Sequence, residues 1–189
     1  MSLNNQKNSL IKTAVFRKIM QKIAKITAKG KVFVRKIRIV SYEEKDIMKE
    51  MLNNYLLELS TFEANVKFDE NGVPIYKWFN NYWTDYGRYP FFLLINNEIA
   101  GIAMVRLHEN EEYNYSIAEF YVLPNFRGNG NALWFAESLL DLFNGKFKIE
   151  TRLTNPAGMK FWTKFTSTKN IQKVYDYDNW RYWLVGKRY

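Results

Sequence analysis

The chain has 189 residues, 47% hydrophobic and 17% aromatic, enough for one folded core and unlike a disordered or low-complexity protein. It has no cysteine and one histidine, His108, which excludes disulfides, thiol catalysis and a His-rich metal centre; no carboxylate motif suggests a metal either. The net charge of +9 is uneven: residues 1–42 hold 11 Lys/Arg and no Asp/Glu, and the remainder hold 17 against 19, so the basic character belongs to an N-terminal arm.

The arm, residues 1–31, precedes a domain at residues 32–189. Between Ser9 and Lys29, residues Ile11, Val15, Ile19, Ile23 and Ile26 recur at helical spacing, and Gly30 is a plausible stop. Such a helix packs on its own domain or on a second copy of the chain in a homodimer, lies on a membrane surface, contacts nucleic acid, or serves targeting. No apolar run approaches the about 18 residues of a membrane span, and the N-terminus lacks the marks of a secretory signal, so a cytoplasmic protein is expected.

Val32–Val40 alternates apolar and basic residues like a half-buried strand. Glu43–Leu59 reads as a helix with Ser41 as N-cap. A turn-rich connection around Asp69–Pro74 leads to a short aromatic helix, Tyr76–Tyr86, in which Trp78, Tyr82, Trp83 and Tyr86 share a face. From Pro90 two apolar runs flank Asn96-Asn97, a hairpin signal. Strand Tyr115–Leu123, helix Ala132–Phe143, strand Phe147–Leu153 and helix Pro156–Phe165 follow, and two last strands meet at Asp178-Asn179. The order predicts an α/β (α+β) fold, a mixed sheet with helices on both faces.

Residues 124–132, PNFRGNGNA, join a strand to a helix. Glycines there permit positive φ and close approach of the backbone, and the helix behind presents unpaired N–H groups and the positive end of its dipole. Together they form an anion cradle, to which Arg127 adds a cationic donor fork. The turn lacks the Gly-Lys-Ser/Thr of a Walker A loop and the third glycine of a dinucleotide fingerprint; a purely structural turn is the bland alternative.

The pattern Arg127-x-x-Gly130-x-Ala132, with YPFFLLINNEIAGIAMV before it and Asn155-Pro-Ala-Gly-Met-Lys-Phe-Trp162 after it, resembles the GNAT superfamily of acyl-CoA-dependent N-acetyltransferases, in a little-characterised bacterial branch, over roughly residues 33–185. The resemblance implies the GNAT fold, with a mostly antiparallel central sheet, and acetyl-CoA as acyl donor without a metal. It implies phosphate binding by backbone N–H groups of Arg127, Gly128, Asn129, Gly130, Asn131 and Ala132. Backbone groups of Phe120, Tyr121 and Val122 would pair with the pantetheine arm as if it were an added strand. Such pairing needs a gap, so strand Phe147–Leu153 is expected to splay away from Tyr115–Leu123, as a bulge can arrange. Asn155 would cap its helix and also hydrogen-bond the pantetheine.

Transfer of acetyl to an amine needs a base, an oxyanion donor and a proton for the thiolate. Glu119, in an otherwise apolar strand and sharing a face with residues 117 and 121, is the candidate base; partial burial would raise its pKa, and a salt bridge to Arg152 is the structural alternative. Family members often carry a base on this strand. The backbone N–H of Tyr121 or Val122 is the candidate oxyanion donor. The tyrosine that many members place seven residues after the asparagine is here Trp162, which cannot act as an acid and reads as packing or a pocket wall. The aromatic segment, with Asp85 or Glu63, would border the acceptor cleft, and His108 reads as a solvated loop residue. The expected function is acetyl transfer to a primary amine, on a small molecule or a peptide, by direct attack in a ternary complex. The alternative is a weakly catalytic or non-catalytic acyl-CoA-binding module tethered by its arm to membrane or nucleic acid.

Overall fold

A computed structural model describes residues 34–109 and 112–186. The arm, its expected helix and the boundary at residue 32 lie outside the described residues. The elements are β1 (Arg35–Ile39), a 3-10 turn (Tyr42–Glu44), α1 (Lys45–Ser60), α2 (Asn81–Thr84), β2 (Arg88–Ile95), β3 (Glu98–Leu107), β4 (Tyr115–Val122), a 3-10 turn (Pro124–Phe126), α3 (Asn131–Leu142), β5 (Phe147–Arg152), α4 (Pro156–Thr166), β6 (Asn170–Tyr177) and β7 (Trp180–Gly186). The strands form one sheet in the order β1-β2-β3-β4-β5-β7-β6, antiparallel except where β4 meets β5.

Two apolar layers cover the sheet. On one face Phe91, Phe135, Leu139, Phe147, Trp162 and Phe165 pack β2, β4 and β5 against α3 and α4. On the other, Met48, Leu52, Phe79, Tyr82, Phe92 and Met104 pack α1 and the aromatic segment against β2 and β3. Strand β2 is buried on both faces, so its sequence is a continuous apolar run rather than an alternation. Its hairpin to β3 turns at Asn96 and Asn97, both at positive φ, and the β6–β7 hairpin turns the same way at Asp178 and Asn179. Asparagine and aspartate tolerate that geometry, which matches the strand twist.

Three expected elements differ. The helix after β1 begins as a 3-10 turn, and Ser41 makes no side-chain cap; its hydroxyl meets the Glu44 carboxylate, which Arg38 grips. The helix expected over 76–86 is the single turn α2. There Asn81 and Thr84 spend their side chains on the Asp85 carboxylate, a local bonding that competes with helical propagation. Only Tyr82 of its aromatic face is fully buried, and Trp78 is 47% exposed. Finally, residues 117, 119 and 121 do not share a face. Met104 pairs with Glu119 but Val105 pairs with Ile117, so Ala118 is an extra residue that reverses the alternation. Ile117 therefore joins the α3/α4 layer, while Tyr121 joins the α1 layer.

Strand β3 presses closely on β4 beyond this bulge. A Cβ at Gly101 would stand 2.5 Å from the Tyr121 carbonyl oxygen. Gly101→Ala is expected to destabilise the domain by about 1–3 kcal/mol through backbone displacement. Urea unfolding measures it, and an unchanged midpoint would contradict this contact.

Candidate active site

The centre of the sheet is open. Strands β4 and β5 pair only at Tyr115–Phe147 and Ser116–Lys148, and from the bulge onward they are no longer bonded. This is the expected splay. A cavity of about 310 Å³ occupies the gap, lined by the C-terminal half of α1 (Tyr55, Glu58, Leu59), by β4 (Phe120, Tyr121, Val122), by Arg127, Gly128 and Ala132, and by Asn155, Gly158 and Trp162 at α4. The main chain of β4 turns groups toward it that no strand bonds. Leu123 N–H donates to Ala100 of β3, so antiparallel alternation points the N–H and C=O of Tyr121 at β3 and those of Phe120 and Val122 at the gap. The Val122 carbonyl accepts from Arg127 Nε at 2.9 Å, in keeping with that direction. The expectation that all three residues offer main-chain groups thus narrows to Phe120 and Val122, because the β3 ladder uses those of Tyr121.

At one end of the cavity stands the glycine turn. Gly128 and Gly130 adopt φ of 87° and 71°, and Gly130 is the N-cap of α3 without a capping side chain. The first N–H groups of α3 have no intrahelical acceptor, and they carry the positive end of the helix dipole. The loop is braced from behind. Asn131, buried, donates through Nδ2 to Phe126 O and accepts from Arg35 Nε at 2.8 Å, while Arg35 Nη2 donates to Asn129 O at 2.7 Å. Two donors expected of Arg127 are already engaged. Its backbone N–H closes the 3-10 turn on Pro124 O, and its guanidinium pairs with Glu58 at 2.6 Å above the Tyr121 ring. The backbone donors left for an anion come from Gly128 to Ala132.

Glu119 is on the α1 face of β4, the face of Tyr121, and is not among the residues that line the cavity. Burial raises its pKa to about 7; the nearby hydroxyls of Tyr76 and Tyr55 offset part of that rise, and Glu63 and Glu150 add to it. Burial likewise holds both tyrosines protonated. Arg152, the partner the sequence suggested, is turned elsewhere: its Nε lies 3.6 Å from Glu63 and its guanidinium stacks on Trp180. The bulge explains the difference, since it aims Glu119 into the layer containing Tyr55 and Tyr76.

Among the other expected residues, Asn155 caps α4 by accepting from Gly158 N–H at 2.8 Å and also lines the cavity. Trp162 is buried among Phe120, Phe161 and Phe165 and forms one wall. Asp85 is 3.4 Å from Arg88 and Glu63 is held by Arg152, so each already has a cation. His108 is not a free loop residue; its Nε2 lies 2.8 Å from Ser116 Oγ and its ring packs edge-on to Tyr113. The sequence reading missed Tyr55, Glu58, Tyr76 and Arg35. The spacing of Tyr55, Glu58 and Leu59 along one helix face was the available signal for the first two. Among the described residues no cluster of His, Asp or Glu could hold a metal, and no helix is long and apolar enough to cross a membrane.

An antiparallel sheet opened at its centre, with a helix N-terminus at the mouth of the opening, defines a class of ligand-cradling α+β domain. Residues 49–166 match the model of the acetyltransferase (GNAT) family. That match spans more than half of the sequence, and the chain belongs to this family. Solved structures share the fold at low identity. A GNAT-family acetyltransferase from Streptococcus agalactiae superposes with TM-score 0.60 at 17% identity, covering 82% of this chain and 96% of that one. The PaiA N-acetyltransferase of Thermoplasma acidophilum, solved with coenzyme A, gives 0.54 at 13%, covering 82% and 99%. Arabidopsis thaliana Naa50, solved with the bisubstrate analogue CoA-Ac-MVNAL, gives 0.50 at 15%, covering 82% and 99%. No curated protein matches the chain.

The Glu119 environment has a consequence for stability. Its folded pKa, about 7, stands above its ordinary 4.5, so between those values the native state binds more protons than the unfolded chain. Stability therefore falls as pH rises through this window, by up to about 3 kcal/mol, and levels off above it. Glu119→Gln removes this component of the slope. Denaturant unfolding from pH 4.5 to 8 measures it, and identical slopes in wild type and variant would contradict the raised Glu119 pKa.

Proposed function

We propose that the protein is an acetyl-CoA-dependent N-acetyltransferase acting on a primary amine by direct attack. The observation that carries this reading is the parting of β4 from β5 beside the N-terminus of α3, which gives an extended thioester arm an edge to pair with and its pyrophosphate a cradle. In this reading the N–H groups of Gly128 to Ala132 hold the phosphates. The Phe120 and Val122 main chains bond the pantetheine, Asn155 adds a polar contact, and the Val122 N–H serves the developing oxyanion. The two solved relatives that contain a coenzyme A moiety support an acyl-CoA donor.

Glu119 acts as the base. A carboxylate with pKa near 7 is matched to taking a proton from an amine around neutral pH. The amine attacks the thioester carbonyl carbon; the N–C bond forms, the C–S bond breaks, and its electron pair leaves on sulfur. The acceptor reaches Glu119 from the α1 side, between Tyr55 and the aromatic segment, and it is a small molecule or a peptide end. A CoA-holding module without turnover is the competing reading. It draws on Trp162 standing where a tyrosine is expected, and the poised Glu119 weighs against it.

Calorimetric titration with acetyl-CoA, followed by thiol release with an amine panel, tests the proposal. Micromolar binding with amine-dependent release is expected. Glu119→Gln should keep its acetyl-CoA affinity while the turnover number falls by roughly 10²–10⁴-fold. Binding without release for any amine would favour the holding module, and wild-type turnover in the variant would remove Glu119 as base.

A further inference from the structure

We propose that the acceptor carries an anionic group, a carboxylate or a phosphate, besides its amine, and that Arg106 of β3 binds that group together with Arg88 and Lys148. The inference rests on the acetyl-transfer reading above and names the class of acceptor. Strand register puts these residues in one line. Arg88 of β2 pairs with Arg106, Arg106 with Ser116 of β4, and Ser116 with Lys148 of β5. Their chain neighbours Tyr89, Val105, Ile117 and Phe147 all belong to the α3/α4 layer, so the four side chains take the α1 face. Glu119, paired with Met104, is on that face too. Arg106 and Glu119 thus occupy diagonal positions of the β3–β4 ladder, which in a regular ladder stand about 7–8 Å apart.

Like charges directly opposite one another destabilise a ladder, and the described residues do little to offset this pair. Arg88 has one carboxylate, Asp85, 3.4 Å from its Nε, and Arg106 forms no ion pair among the described residues. Two buried polar atoms beside them also lack a hydrogen-bond partner: Arg88 Nη1 and the hydroxyl of Tyr82, a residue only 3% exposed whose ring lies 5.4 Å from the Arg88 guanidinium. An unbonded buried donor is costly, and the oxygens of an anion are the acceptors that both atoms lack. Guanidinium forks match the oxygens of carboxylate and phosphate, and the Lys148 ammonium, 3.0 Å from Glu150, adds a further cation at the end of the line. A polycationic acceptor finds no matching place, because Glu63 and Asp85 are already held by arginines.

Thiol release from acetyl-CoA, measured with 4-aminobutanoate, 3-aminopropylphosphonate and the neutral 4-aminobutanamide, tests this. The anionic amines should exceed the amide by roughly tenfold or more in kcat/KM, chiefly through a lower KM, and the larger of the two gains identifies the group. Arg106→Gln should remove the advantage. Arg181 pairs with Thr151, on the other face of the sheet from Lys148, so Arg181→Gln removes a cation outside the line and should keep the wild-type preference. Equal turnover of the amide, or a preference that survives Arg106→Gln, would overturn the anion site alone, and the wild-type comparison decides this even where the variant does not fold. Thiol release with none of these amines, nor with any other primary amine, would overturn the acetyl-transfer reading and the anion site with it.

Discussion

The extra residue at Ala118 is the constraint on which the rest depends. A regular β4 would continue its pairing with β5 and close the sheet. The bulge ends that pairing after Ser116, and it reverses which face each later side chain takes. One irregularity thus opens the cavity, leaves the main chains of Phe120 and Val122 without strand partners on the β5 side, and swings Glu119 toward α1. The close approach of β3 at Gly101 fixes β4 where it parts from its neighbour.

Charge placement follows from that geometry. The carboxylates around the cleft have cations: Glu58 has Arg127, Glu63 has Arg152 and Glu150 has Lys148. Glu119 has tyrosine hydroxyls instead, which stabilise its charge less than a guanidinium would, so burial prevails and the group titrates near neutrality. Arg127 and Arg35 serve the phosphate loop differently. Arg127 ties it to α1, whereas Arg35 bonds Asn129 and Asn131 from β1, the strand that directly follows the basic arm.

Much of this was legible in the sequence because it is local. Hairpin turns at Asn96-Asn97 and Asp178-Asn179, the Pro156 helix start with its Asn155 cap, and the glycine turn each depend on a few adjacent residues with strong backbone preferences. The splay was anticipated from the family resemblance rather than from residue pattern. What stayed hidden is long-range or parity-dependent. An inserted Ala118 looks like any strand alanine, so strand alternation alone groups Ile117 with Glu119 and Tyr121, whereas the bulge leaves only Tyr121 on the face of Glu119. Tyr55 and Tyr76 meet Glu119 only through tertiary packing, and nothing in their own neighbourhoods marks them. The aromatic run at 76–86 carried helical spacing, but its Asn, Thr and Asp side chains bonded one another and held it to one turn.

Residue-resolved amide hydrogen exchange, with and without saturating acetyl-CoA, tests the central claim most directly. The account predicts that the Phe120 and Val122 amides exchange readily in the free protein and become protected by the donor, while the Tyr121 amide, already bonded to β3, is protected in both states. Exchange at Phe120 and Val122 that acetyl-CoA leaves unchanged would contradict the claim that the open edge of β4 receives the ligand.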